Sequence, residues 1–269
     1  MEGETLVMRK KKIQIGIGLL ALTGLLAIGS LSVRADSATD SLYQYYRVNR
    51  TFKVWTAGIK AKHWITLPKG MIVQAVKQTQ LSSNGKSMNV AEFNFRMISY
   101  ATRKNKLHMK QTWRNWTDAT TRTPQYLTAV KPPKVLLTDH LSASRQSGFL
   151  SNRADNRGNM VIATVDGYLE YYQKLYPTGD SNFKPQSYAK ITKIRQSGNV
   201  KYFYYRHHIK GLKDQAVRKS GKYRYRLKEV NLNKKVTLQY PSVNDGLPST
   251  YFVYTLSNQK YYVPTGEFK

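Results

Sequence analysis

Side-chain polarity alternates most cleanly in GKYRYRLKEV (221–230). In an extended chain neighbouring side chains point to opposite faces, so Tyr223, Tyr225 and Leu227 share one face and Lys222, Arg224, Arg226 and Lys228 share the other. A helix would scatter the same residues around its circumference, and the aromatic content also favours a strand. The pattern predicts a half-buried antiparallel strand whose outer face is a row of cations. KYFYYRHHIK (201–210) repeats it, with Tyr202, Tyr204, Arg206 and His208 on one face and Phe203, Tyr205, His207 and Ile209 on the other. Strand, Ser/Gly/Asn turn, Lys-Tyr and strand recur at ITKIRQSGNVKYFYY (191–205), AVRKSGKYRYRL (216–227) and YFVYTLSNQKYYV (251–263). Three such hairpins predict a meander in which tyrosines pack inward while Lys or Arg stays in water.

Shorter alternations precede these. FKVWT (52–56), HWITL (63–67) and MIVQAVKQTQ (71–80) read as strands, with a turn at PKG (68–70). The Asn-Gly pair in SSNGKS (82–87) predicts a hairpin into MNVAEFNFRMISY (88–100). Residues 103–123 carry no clear period; Leu107, Met109 and Trp113 either continue a strand or line a linker. A second apolar group runs through YLTAV (126–130), KVLLTDHL (134–141) and MVIATVDGYLEYYQKLY (160–176), and PTGDSNFKPQ (177–186) marks a boundary. Helix signals are thin. The expected fold is all-β, with two or three small antiparallel barrels or meanders after an N-terminal export helix. The expected divisions are an export signal or anchor at 1–35, a polar lead-in at 36–50, a first β module at 51–119, a β-rich module of unassigned type at 120–186, and the Tyr/Lys-rich hairpins at 187–269.

Charge sharpens this picture. The 269 residues include 44 Lys and Arg against 15 Asp and Glu, a formal charge of +29, and no cysteine. Hydrophobic residues make up 41%, enough for packed cores, so the surplus is not the mark of a disordered chain. Such a surplus repels itself and suits a polyanionic partner, whose counterions are released on binding. MRKKK (8–12), an uncharged apolar run from Ile13 to Val33, and the small residues Val33 and Ala35 give the layout of an export signal. The run is also long enough to span a bilayer as an uncleaved anchor. Either way the expected location is outside the cytoplasm, at the cell envelope. Residues 1–35 hold five basic and two acidic residues, so the surplus is not a targeting artefact. An exported chain without cysteine relies on core packing instead of disulfides.

Motifs that carry chemistry are sparse along the chain. Without a sulfur nucleophile, thiol-dependent wall hydrolases, sortases and L,D-transpeptidases are excluded. S-x-x-K occurs at Ser83–Lys86, Ser181–Lys184, Ser187–Lys190 and Ser257–Lys260, but its S-D-N and K-T-G partners and a G-x-S-x-G elbow are missing. His63, His108, His140, His207 and His208 form no H-E-x-x-H, and the adjacent pair would face opposite ways on a strand. A paired-carboxylate site would draw on Glu92, Asp139, Asp166, Glu170 and Glu229, although Asp166-Gly167 reads first as a turn and Glu170 as a strand residue. No enzymatic activity, cofactor or metal is expected. Single-stranded nucleic-acid binders also combine cations with aromatics, but export argues against nucleic acid as the main partner.

The export layout, the hairpins ending in NQKYYVPTGEF (258–268) and the stretch FKVWTAGIKAKHWITLPKGMIVQAV (52–76) together resemble exported lactobacillal surface proteins built from bacterial SH3-like or surface-layer-type wall-association modules. Residues 52–76 are similar to the opening strands of an SH3-like barrel, whereas 120–186 fall outside the resemblance. It implies attachment to peptidoglycan or to an anionic wall polymer such as teichoic acid. From the residues themselves, the candidate polyanion contacts are Lys201, Arg206, Lys222, Arg224, Arg226 and Lys228, with Tyr202 and Tyr204 as stacking surfaces for sugar rings. Same-face cations on a strand stand about 6.7 Å apart, comparable to phosphate spacing in an extended polyanion. Two alternatives share much of this pattern. One is an adhesin for host glycan or matrix; the other is an envelope hydrolase that brings His140 or Glu170 together with another carboxylate or hydroxyl.

Overall fold

Alternation along the chain becomes two antiparallel sheets in the computed structural model, which describes residues 44–57, 62–81, 85–109, 119–137, 149–153, 158–173, 184–239 and 248–268. The expected export segment, Trp113, Asp139 and His140 lie outside the described residues. Among the described residues the first sheet has seven strands: β1 (Gln44–Val48), β2 (Phe52–Ala57), β3 (Lys62–Leu67), β4 (Ile72–Leu81), β5 (Ser87–Phe93), β6 (Ala119–Thr121) and β7 (Leu127–Val130). Their order is β3-β2-β6-β5-β4-β1-β7. The expected polar lead-in therefore ends in a strand: Tyr45, Tyr46 and Val48 of β1 are buried between β4 and β7.

The remaining strands are β8 (Phe149–Ser151), β9 (Met160–Ala163), β10 (Tyr168–Tyr172), β11 (Ser187–Ser197), β12 (Val200–Tyr205), β13 (Gln215–Ala216), β14 (Tyr225–Leu238), β15 (Ser249–Leu256) and β16 (Gln259–Phe268). They run β12-β11-β10-β9-β8-β16-β15-β14-β13, and a further pairing of β12 with β14 closes all but β13 into an eight-stranded antiparallel barrel. Closure covers the edges of β12 and of the first half of β14, while Lys234–Leu238 of β14 pair with β15 alone. Tight hairpins set the register. Gly167 (φ 82°) turns β9 into β10, and Gly198 (φ 55°) turns β11 into β12. Ser257 and Asn258, at φ 46° and 71°, supply the two left-handed positions that a two-residue hairpin between β15 and β16 requires.

Strand pairing runs across the divisions expected at 119/120 and 186/187. β6 pairs with β2 and β5, β7 pairs with β1, and β10 pairs with β11. Residues 44–130 thus supply the first sheet and 149–268 the barrel, all within one compact unit that runs from Asp40 to Lys269. The strand expected to run from 88 to 100 stops at Phe93. Asn94 caps a 3-10 turn (Phe95–Met97), and Ser99 caps a helix, α1 (Tyr100–Asn105), with its hydroxyl accepting from Thr102 N–H. KVLL (134–137) turns and sends Leu137 into the barrel cluster instead of forming a strand.

The barrel interior holds Val161, Ala163, Leu169, Tyr171, Phe203, Tyr205, Leu227 and Tyr254, joined by Ile209 and Leu212 from the loop after β12. β9 is buried on both faces. Val161 and Ala163 point into the barrel, while Met160 and Ile162 join the core of the first sheet with Phe93, Phe95 and Met97. α1 is pinned in the same joint. Asp166, in the β9–β10 turn, accepts from Ser99 N–H (2.9 Å), Ser99 Oγ (2.6 Å) and Thr102 Oγ1 (2.6 Å). Glu170 of β10 accepts from Tyr100 N–H and from Tyr172 OH (2.6 Å), and lies 3.9 Å from the guanidinium of Arg103. Arg103 also donates to the carbonyls of Phe95 (3.3 Å) and Ile98. Two carboxylates thus sit at the N-terminal turn of α1, where the helix presents free N–H groups. Burial pushes the Glu170 carboxyl above the usual carboxylate range, against the opposing pull of Arg103 and the two hydrogen bonds.

Candidate functional site

The cations predicted from alternation gather on the outer face of β11, β12 and β14. On β12, Phe203 and Tyr205 face the barrel interior, so Tyr202 and Tyr204 face out, half-buried. Cross-strand partners in an antiparallel sheet project from the same face. Register therefore makes two rows: Arg195, Tyr202 and Lys228 in one, and Lys193, Tyr204 and Arg226 in the other. In each, a tyrosine on the central strand stands between two cations.

The cations are held diagonally across these rows. Arg226 lies 5.0 Å from the ring centre of Tyr202, and Arg195 lies 6.0 Å from that of Tyr204. Guanidinium groups on phenol faces gain from the ring quadrupole while their outer N–H donors stay available. Arg226 also donates to Gln215 Oε1 at 2.5 Å, from the short strand β13. Glu229 is the one acid in the sequences of β11, β12 and β14; it points inward and is buried, so no carboxylate from these strands neutralises the outer face.

The four-cation row expected along 222–228 is divided. β14 begins at Tyr225, so only Arg226 and Lys228 occupy outward strand positions. Gly221 (φ 88°) turns the chain, and Lys222, Tyr223 and Arg224 precede the strand. Thr192 Oγ1 donates to the Lys222 carbonyl (2.7 Å), tying that turn to β11. Tyr223 was expected to pack inward with Tyr225 and Leu227. Instead it meets Tyr204 edge-on at 6.4 Å on the outer side, with Lys193 and Lys222 near its ring at 5.6 and 5.2 Å. Arg224 lies 5.3 Å from the ring of Tyr225.

Lys201 departs from the expected set. It has the same strand parity as Phe203 and Tyr205, is buried, and donates from Nζ to the Leu136 carbonyl at 2.8 Å. Arg206 is exposed but lies past the end of β12. The face contains two cations that alternation did not select, Lys193 and Arg195. A register shift between Ile191 and Lys193 hides their parity, and the signal available was the Ile191, Ile194 spacing on either side of the bulge.

The residues weighed for catalysis are placed otherwise. Glu170 is fully buried in the Arg103 and Tyr172 network, and Asp166 caps α1. His208 Nδ1 lies 2.5 Å from Asp214 Oδ1, while Asp214 Oδ2 accepts from Tyr205 OH (2.8 Å) and Ile209 N–H (3.1 Å), anchoring the loop that carries Ile209 and Leu212 inward. His207 is exposed. Among the described residues no group of three or more His, Asp or Glu side chains is arranged to hold a metal ion, and no helix is long and apolar enough to cross a membrane. The fold and this face define a basic, tyrosine-faced antiparallel β-barrel joined to a second antiparallel sheet. Comparison with protein-family models, curated proteins and solved structures finds no match.

Proposed function

We propose that the chain is an exported cell-envelope protein that binds an anionic wall polymer, teichoic acid or peptidoglycan, through the outer face of β11, β12 and β14. The observation that carries this reading is the pair of cross-strand rows in which tyrosine stands between cations: Arg195, Tyr202, Lys228 and Lys193, Tyr204, Arg226. Neighbours within a row lie on adjacent strands about 4.8 Å apart, and the two rows lie two residues apart along the strands, about 6.7 Å, so cations and flat rings are presented together, which suits a polymer of alternating sugar and phosphate. The phenols offer stacking surface, and the Lys and Arg groups displace counterions from the polymer. The export layout of residues 8–35 and the chain-wide excess of 44 basic over 15 acidic residues point the same way.

The test is sedimentation of the purified protein with Gram-positive walls across a salt series, before and after teichoic acid is stripped. A polyanion contact gives retention that falls steeply with salt and disappears on stripping. Changing Arg195, Arg226 and Lys228 together to Ser should lower the logarithmic salt slope by about one for each cation engaged. Undiminished retention of this variant, with a native circular dichroism spectrum, would refute the face as the contact. Salt-insensitive retention on stripped walls would move the ligand to the glycan or peptide of peptidoglycan.

A further inference from the structure

The barrel face uses no tryptophan, yet the first sheet displays two. Register sets Trp55 of β2 directly opposite Trp64 of β3 on one face, while Val54, Ile65, Phe52 and Leu67 pack the opposite face into the core. Trp64 is 62% exposed and Trp55 half-buried. A cleft of 390 Å³ opens beside the pair, lined by Lys53, Trp55, Trp64, Thr121, Arg122 and Thr123. The end of β6 shapes it: Thr121 Oγ1 and Thr123 Oγ1 are 2.8 Å apart, and Thr123 N–H donates to Thr121 Oγ1 at 3.2 Å, fixing the turn that carries exposed Arg122. Arg122 also lines a larger concavity of 780 Å³, where Gln78, Thr79, Asn89 and Gln125 add amide and hydroxyl groups. The two hollows therefore share Arg122.

We infer that the Trp55–Trp64 cleft is a saccharide site, taking a carboxylate-bearing pyranose of a linear polysaccharide. Indole faces match the apolar C–H face of a pyranose and are poorly served by water. The half-buried Thr123 hydroxyl and the amides beyond Arg122 match its ring hydroxyls, while buried Thr121 holds Thr123 in place. Among the described residues, Lys53 and Arg122 line the cleft with no carboxylate beside them, which favours an anionic sugar, and Arg122 is suited to bidentate binding of its carboxylate. Among the described residues the nearest acid in register is Glu92, which is half-buried and reached from Trp55 only across β6. No residue of this cleft belongs to the cationic barrel face, so the inference stands independently of the proposed function.

The full chain would be titrated by calorimetry and indole fluorescence with three probes: trigalacturonic acid, the N-acetylglucosaminyl-N-acetylmuramic acid disaccharide and neutral triacetylchitotriose. Binding of either acidic probe with a change in indole emission is the expected result, and which of the two binds identifies a uronic or a lactyl carboxylate as the source. Trp64→Ala and Arg122→Gln, both at exposed side chains, should each weaken that binding by about tenfold or more, the size expected of a central aromatic or arginine contact. Arg226→Ser with Lys228→Ser should leave it unchanged. Failure of both acidic probes to bind, equal binding of the neutral trisaccharide, or binding indifferent to both cleft variants would each overturn the inference.

Discussion

Replacing Arg103 by Met tests whether the joint between barrel and first sheet is held electrostatically. Arg103 is fully buried, 3.9 Å from Glu170, 3.4 Å from Tyr172 OH and in hydrogen-bond contact with the carbonyls of Phe95 and Ile98. Methionine retains much of the apolar stem but removes the charge and every donor. Removing one partner of a buried ion pair costs about 3–5 kcal/mol, which for a domain of 150–250 residues corresponds to a fall in Tm of roughly 6–20 °C. The sign of the pH dependence follows from Glu170. Burial already pushes its carboxyl up, and loss of Arg103 pushes it further. A carboxyl with a raised folded pKa contributes fully only below its unfolded value of about 4.3, and that contribution is lost as pH rises toward the folded value. The deficit of Arg103→Met should therefore be small near pH 4 and grow toward neutrality. Urea melts followed by circular dichroism, on wild type, Arg103→Met, Glu170→Gln and the double variant, measure this directly. The double variant should be non-additive by about 1–3 kcal/mol, because Gln leaves no charge to strand. A deficit that is constant across pH, together with additive single effects, would refute the electrostatic account and reduce Arg103 to packing.

Two further predictions follow from the barrel. Gly211 has φ 100°, and a Cβ there would overlap the ring of buried Tyr171; Gly211→Ala should cost about 1–3 kcal/mol, and an unchanged thermal melt would show that the loop after β12 shifts freely. Burial pushes the phenols of Tyr172, Tyr205 and Tyr261 far up, so an ultraviolet titration of the 20 tyrosines should leave these three un-ionised until the protein unfolds. Because the unfolded phenol ionises near about pH 10, the same shift makes stability fall as pH rises above that value; a full set of ordinary midpoints in a protein that keeps its native spectrum would contradict it.

Period-two alternation was enough to find the strands that face water on one side. β2, β3, β5, β11, β12 and β16 fall where apolar and polar residues alternate, and the Asp166-Gly167 turn falls between β9 and β10, whereas most of β15 and Val73–Val76 of β4 are buried on both faces. It failed where a strand has no wet face. MVIA of β9 is buried throughout, so its sequence shows a run and gives no hint that one side meets a second sheet. Nor could alternation reveal the six-residue α1: YATRKN has no amphipathic period, and the helix depends on Asp166 and Glu170, more than sixty positions away in the chain. The cationic face was legible in part. Tyr202, Tyr204, Arg226 and Lys228 follow from parity, whereas the bulge at β11 hid Lys193 and Arg195, and the Gly221 turn removed Lys222 and Arg224 from the row.

Barrel closure explains why so many like charges can share one face. Isolated β-hairpins in water are marginal, and adjacent cations across strands add repulsion that such a hairpin could not carry. Here β12 is hydrogen-bonded on both sides, by β11 and β14, and its inward Phe203 and Tyr205 are fully buried. Stability comes from the interior, from Ile209 and Leu212 folded in by the Asp214 loop, and from the joint at β9 and β10. The outer positions are thereby relieved of any packing role. Their tyrosines separate the cations within each row and take up guanidinium groups on their ring faces, which lowers the repulsion without placing a carboxylate there. A structural ion-pair network would instead have interleaved acids. The absence of acids from the outward positions of three adjacent strands leaves their charge to be balanced by solution counterions or by a bound polyanion that displaces them, and that is the physical reason to test for a polyanion on this side of the barrel.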